Sequence, residues 1–185
     1  EAACAAGVDA VIVQDAGEAA ILRRCTPKMP LHASTQMVVH NAEGARRLES
    51  MGFSRVVAAR ECTREELAAI AAGTSMQVEA FVHGALCMSV SGQCYLSSVL
   101  GRRSGNRGLC AQPCRLAFTA GGCGHALSLK DMSLIERVRE LQKTGVCSLK
   151  IEGRMKRPEY VAAAVTACRA ALAGETPDME SLRAV

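Results

Sequence analysis

Residues 55–82 read RVVAARECTREELAAIAAGTSMQVEAFV, and this stretch decides the fold. Arg55 to Ala59 is a short apolar run of the kind that forms a buried strand. Thr63, Arg64, Glu65 and Glu66 then fit a capping box: the Thr63 hydroxyl takes one free backbone N–H and Glu66 reaches back to another. The helix opened by this box ends near Gly73, and Gln77 to Val82 is a second apolar run. A strand, a helix and a strand at this spacing make one crossover unit of a parallel sheet.

The same unit repeats on both sides. Val11 to Val13 reads as a strand, Gly17 to Arg24 as a helix, and Leu31 to Ala33, after Pro30, as a strand. Asn41 caps a helix running to Met51, and Gly52 ends it. Downstream, Ala126 to Leu129 is expected as a strand and Ser133 to Lys143 as a helix with Leu134, Val138 and Leu141 on one face, ended by Gly145. Cys147 to Ile151 reads as a strand. Pro158 opens a last helix, with Val161, Val165, Cys168 and Leu172 expected as its buried stripe and Gly174 and Pro177 as its stop. About six strands result. The expected class is α/β: an incomplete (β/α)8 TIM-like barrel with a Cys/Gly-rich insertion, the alternative being an open doubly wound sheet. The division is 1–82 for the first βα units, 83–124 for the insertion, 125–177 for the last units and 178–185 for a frayed tail. The chain opens on Glu1 within what reads as a helix end, so a fragment or processed chain is expected.

Composition narrows the class. Of 185 residues 49% are apolar and 22% charged, which supports a packed core and excludes global disorder. Aromatics are 3%, too few for a base-stacking platform. Residues 80–101 lack Asp, Glu, Lys and Arg, but His83, Gln93 and several serines and glycines make them too polar for a lipid-facing helix. No membrane partner is expected. Ten cysteines in a chain with long Ala-rich helical stretches suit a reduced, cytoplasmic protein that uses some thiols as ligands.

Cys87, Cys94, Cys110 and Cys114 lie within 28 residues, spaced x6, x15 and x3. Intervening glycines let the backbone fold tightly around a small object. Four converging thiolates repel one another unless a metal or cluster neutralises them. Structural zinc favours two close pairs, and the six residues between Cys87 and Cys94 are wide for that. A [4Fe-4S] cluster, with corners several ångström apart, is the preferred expectation. Zinc and plain or disulfide-linked thiols remain alternatives, and Cys147 is an alternative fourth ligand to Cys114. The other cysteines read as small buried hydrophobes or incidental thiols. Residues 80–130 hold no acid, while Arg102, Arg103, Arg107, Arg115 and Lys130 are basic, which points to an anionic ligand.

Polar residues follow the apolar strands repeatedly: His32 and Gln36, Arg60 and Glu61, Glu79 and His83, Lys150, Glu152 and Arg154. In either candidate fold, chemistry belongs at these strand ends. Lys150 and Glu152 are candidates for acid and base, and His83 for a catalytic role beside Cys87. His32 and Gln36 are candidates for hydrogen bonding a substrate edge, and Arg102, Arg103, Arg107 and Arg154 for pairing with a carboxylate. The plainer readings are a structural His32 and a Glu152–Arg154 ion pair.

Glu79 to Cys87 (EAFVHGALC), Ser91 to Ser97 (SGQCYLS), Gly101 to Gly108 (GRRSGNRG), Cys110 to Arg115 (CAQPCR), His32 to Gln36 (HASTQ) and Ser148 to Lys156 (SLKIEGRMK) resemble the U-32 peptidase family of collagenase-like proteins. The resemblance spans nearly the whole chain in the same order. It implies a barrel-type catalytic domain and two competing activities. One is proteolysis. The other is oxygen-independent hydroxylation of ribosomal RNA, transfer RNA or ubiquinone precursors, with a cysteine-bound [4Fe-4S] cluster and, for the RNA-modifying members, a prephenate-like cosubstrate. By position Cys87, Cys94 and Cys110 match recurring family cysteines. The absence of a His-Glu-x-x-His helix and of a Gly-x-Ser-x-Gly elbow speaks against a conventional protease. RNA hydroxylation is therefore the expectation, with a collagenase-like peptidase on a peptide substrate and a non-catalytic cluster-bearing scaffold as alternatives.

Overall fold

A computed structural model describes residues 2–91, 93–153 and 155–185. The elements follow in order α1 (Ala2–Ala5), β1 (Val11–Val13), α2 (Ala16–Cys25), β2 (Leu31–Ala33), α3 (Ala42–Ser50), β3 (Arg55–Val57) and α4 (Arg64–Ala72). Then come β4 (Gln77–Ala85), α5 (Leu96–Gly101), β5 (Asp131–Ser133), α6 (Val138–Lys143), β6 (Ser148–Glu152), α7 (Pro158–Ala173) and α8 (Met179–Arg183). The six strands form one mixed sheet. Strands β1, β2, β3, β4 and β6 are parallel neighbours in chain order, while β5 runs antiparallel to β4.

Local signals set the boundaries. Both halves of the capping box form at α4: Thr63 N–H donates to Glu66 Oε2 at 2.7 Å, and Glu66 N–H donates to Thr63 Oγ1 at 3.2 Å. Asn41 caps α3 by accepting from Gly44 N–H at 2.8 Å, and Pro158 occupies the first turn of α7. Val78 to Gly84 are buried without interruption, as in a strand covered on both faces. The core packs Val13, Leu31, Val56, Val78 and Val82 of the sheet against Leu48, Leu67, Ile70, Val138 and Ala164 of the helices.

Three expectations fail for identifiable reasons. The strand expected at Ala126–Leu129 forms instead at Asp131–Ser133. Arg115 donates to Ser128 Oγ and to the Leu129 carbonyl, which holds the apolar run as a loop, and the backbone pairs only where β4 extends past β3. The stripe expected on α7 holds only at Cys168: Val161, Val165 and Leu172 are exposed, and the buried face is Tyr160, Ala164, Ala167, Cys168 and Ala171. Small residues let the helix approach the sheet closely. The tail is not frayed: Asp178 caps α8 by accepting from Ser181 N–H, and Leu182 is buried.

Glu79 fixes the register at the centre of the sheet. Its buried carboxylate accepts from Arg55 of β3 at 3.2 Å, and from Ser148 and Lys150 of β6 at 2.7 and 3.1 Å. Burial pushes this carboxyl up, but the Ser148 hydrogen bond and the Lys150 and Arg55 charges outweigh it, so its pKa lies below the ordinary value. His32 of β2 feels the same group. Burial and the Arg55 and Lys150 charges lower its pKa against the opposing pull of Glu79.

Two outcomes are expected in unfolding titrations. Ala164→Leu should cost about 1–3 kcal/mol by overpacking, whereas Val165→Ser should stay within about 0.5 kcal/mol; equal losses would contradict the assigned face. Because the folded pKa of Glu79 is depressed, its contribution is present above the unfolded carboxyl pKa and is lost as pH falls through the folded one. Glu79→Gln should therefore lower stability at pH 7 by about 1–3 kcal/mol and flatten the acid limb of the wild-type profile. An unchanged limb would show that the group is not coupled to folding.

Candidate active site

The C-terminal strand ends and the segment after β4 enclose a cavity of ≈ 340 Å³. Ser34, Thr35 and Gln36 reach it from the end of β2, Arg60 from beyond β3, Phe81 and Ala85 from β4, and Lys150 and Glu152 from β6. Cys87, Cys94, Cys110 and Cys114 all line it. The cysteine set expected from spacing is thus brought to one place, and no disulfide forms among the described residues.

Hydrogen bonds tie the segment to the sheet. Ser91 is fully buried; its N–H and hydroxyl donate to Glu61 at 2.8 and 3.0 Å. Gln36 Nε2 donates to the Gly105 carbonyl at 3.0 Å. Arg115 donates to the Leu86 carbonyl at 2.9 Å, beside Cys87. Ser97 Oγ accepts from Ala111 N–H at 3.0 Å, and Gln112 N–H donates to Cys110 Sγ at 3.3 Å. Burial raises the Cys114 thiol, and the nearby Cys87 and Cys110 raise it further against the pull of Arg115. Metal binding would then have to displace a proton from Cys114. Thiols are donors of the kind that bind an iron–sulfur or zinc centre, but among the described residues no three His, Cys, Asp or Glu side chains are placed to share a single ion.

Glu152 sits where β4 is irregular. A register shift between Phe81 and His83 and a φ of +124° at Gly84 let the strands close up, and a Cβ at Gly84 would lie 2.3 Å from the Glu152 carbonyl oxygen. Glu152 accepts from Arg60 Nη2 at 3.1 Å, and the Arg60 guanidinium lies 4.2 Å over the Phe81 ring.

Other sequence candidates fall elsewhere. His83 does not line the cavity; its ring stacks on Tyr160, centroids 5.4 Å apart. Burial lowers its pKa, with Asp131 opposing and Lys156 assisting, and both ring nitrogens are buried without a hydrogen-bond partner. The register shift in β4 comes just before His83, and its ring packs on Tyr160 rather than into the cavity. His32 belongs to the Glu79 group. Arg102, Arg103 and Arg107 are exposed and line no part of the cavity, and Arg103 donates to the Leu109 carbonyl. Cys147 lies at the opposite end of β6 from Glu152, in contact with the Val78 carbonyl, so it does not join the other four. Arg154 lies outside the described residues. Arg60 and Glu61 were visible as polar residues after β3, but nothing in their spacing assigned their roles.

Among the described residues no helix is long and apolar enough to cross a membrane. Residues 1–180 match the profile described as Peptidase family U32. A 23S rRNA 5-hydroxycytidine synthase of Escherichia coli is 44% identical over 163 residues, covering 84% of this chain and 24% of that protein. A tRNA hydroxylation protein of Bacillus subtilis is 35% identical, covering 95% of this chain and 45% of the relative. A protein named collagenase from Porphyromonas gingivalis is 36% identical, covering 91% and 44%. The chain thus spans a quarter to just under half of these relatives. With a match over nearly its whole length, the chain belongs to the U32 peptidase family.

Proposed function

We propose that this chain is part of an oxygen-independent RNA hydroxylation enzyme acting on ribosomal or transfer RNA. The observation that carries the reading is the meeting of Cys87, Cys94, Cys110 and Cys114 with Lys150 and Glu152 around one cavity. The relatives named for rRNA and tRNA hydroxylation support the same direction. The sequential order of the parallel strands supports an incomplete (β/α)8 barrel over a doubly wound sheet, whose strand order reverses at a switch point.

In this reading the four cysteines hold a [4Fe-4S] cluster, which when bound supplies a redox or Lewis-acid centre. Zinc has less support, since it needs its sulfurs about 2.3 Å from one point. Glu152, beside the cavity and held by Arg60, accepts a proton; Lys150, held by Glu79, presents a positive charge to an anionic, prephenate-like cosubstrate. Gln36 braces the glycine-rich wall through Gly105. An RNA substrate implies a cytoplasmic location and no membrane partner. Proteolysis by a Cys87–His83 pair has less support, because His83 packs on Tyr160 instead.

In the full-length protein, Lys150→Ala and Glu152→Gln are each expected to lower RNA hydroxylation about 100-fold or more, read as modified nucleoside by mass spectrometry, with iron content unchanged. Full activity in both variants would make the chain a scaffold. Peptide cleavage that Cys87→Ala abolishes, without any RNA product, would return the collagenase-like reading.

A further inference from the structure

We propose that the Arg60–Glu152 ion pair is a carboxylate exchange site, in which a small carboxylic acid entering the cysteine cavity takes the Arg60 guanidinium and releases Glu152. The proposal deepens the function above and rests on its reading of the cavity as the reaction chamber.

Among the described cations that line the cavity, Arg60 is the one with a buried side-chain N–H that has no hydrogen-bond partner. Its guanidinium plane is set by the Phe81 ring, and Nη2 donates to Glu152. Its Nε is buried with no hydrogen-bond partner. A guanidinium carries five donors in a flat fork, and a buried donor without an acceptor marks a place for one. Lys150 is bound to Glu79, and Arg115 is bound to Leu86, Ser128 and Leu129.

The geometry favours a small acid over an RNA phosphate. The Arg60 side chain is only 16% exposed, and the cavity of ≈ 340 Å³ lies at the small end of ligand sites. A phosphodiester brings a nucleoside on each side and cannot follow the fork into that space. A free carboxylate with a hydrocarbon body can, lying against Phe81, Leu86 and Pro113, which line the same cavity. Glu152 is the more exposed member of the pair at 30%, so it is the one that yields. A carboxylate that loses its cation becomes a better proton acceptor. Binding of the acid therefore frees the base next to it.

The test is titration calorimetry on the full-length protein with prephenate, phenylpyruvate and benzoate, and with inorganic phosphate and the dinucleotide cytidylyl-uridine as the phosphate arm. At least one acid should bind. Arg60→Gln should weaken it about 10- to 100-fold, and Arg60→Lys, which keeps the charge without the fork, should weaken it as well. Glu152→Gln should tighten it about two- to fivefold, because the competing carboxylate is gone. These opposite signs are what a merely structural ion pair would not produce. No binding by any acid, equal affinity after Arg60→Gln, weakening in both variants, or an Arg60-dependent gain by the phosphate arm would each overturn the proposal. Iron content in the same preparations reports separately on the cluster, so an iron-loaded protein lacking the opposite shifts refutes the exchange alone.

Discussion

Glu61 holds the cysteine-bearing segment against the sheet. Residues 80–130 contain no acid of their own, yet their most deeply buried hydroxyl, on Ser91, donates to a carboxylate that enters from the end of β3. That contact lies between Cys87 and Cys94 and fixes where both can reach. Similar anchors stand beside the other cysteines: Arg115 on Leu86, Ser97 on Ala111, Gln36 on Gly105. Neutral and charge-assisted hydrogen bonds bring the segment to the cavity, and burial raises the Cys114 thiol above its ordinary value.

The sheet beneath is organised by a second carboxylate. Glu79 joins β3 to β6 across β4 and so places Lys150 at the cavity. Two carboxylates thus divide the work by position: Glu79 sets strand register, and Glu61 sets the loop. Glu152, partly exposed and tied through Arg60, is the one left with access to a ligand.

Much of this was legible in the sequence wherever a signal was local. The capping box at Thr63, the cap at Asn41, Pro158 at a first turn and the short apolar runs of β1 and β2 each depend on a few neighbouring residues. That Cys87, Cys94, Cys110 and Cys114 come to one cavity was legible because spacing and glycine content are sequence properties. The features that depend on distant partners were not. β5 forms where β4 offers a free edge, and α7 buries its alanines because the sheet lies close. The basic residues of the acid-free stretch suggested anion binding, but Arg103 and Arg115 spend donors on carbonyls, and among the described cations lining the cavity the one with an unpaired buried N–H is Arg60, outside that stretch. His83 packs on Tyr160, a partner distant in the chain that no local pattern announces.

The central claim is that four of the ten cysteines share one inorganic centre. Its most direct test is iron and acid-labile sulfide per chain in the anaerobically purified full-length protein, wild type against single Cys→Ala variants at 87, 94, 110, 114 and 147. The account predicts about four irons and four sulfides in the wild type, their loss in the first four variants, and full retention in Cys147→Ala. A protein that holds one zinc and no sulfide, or a cluster that survives removal of Cys114 and vanishes with Cys147, would contradict it.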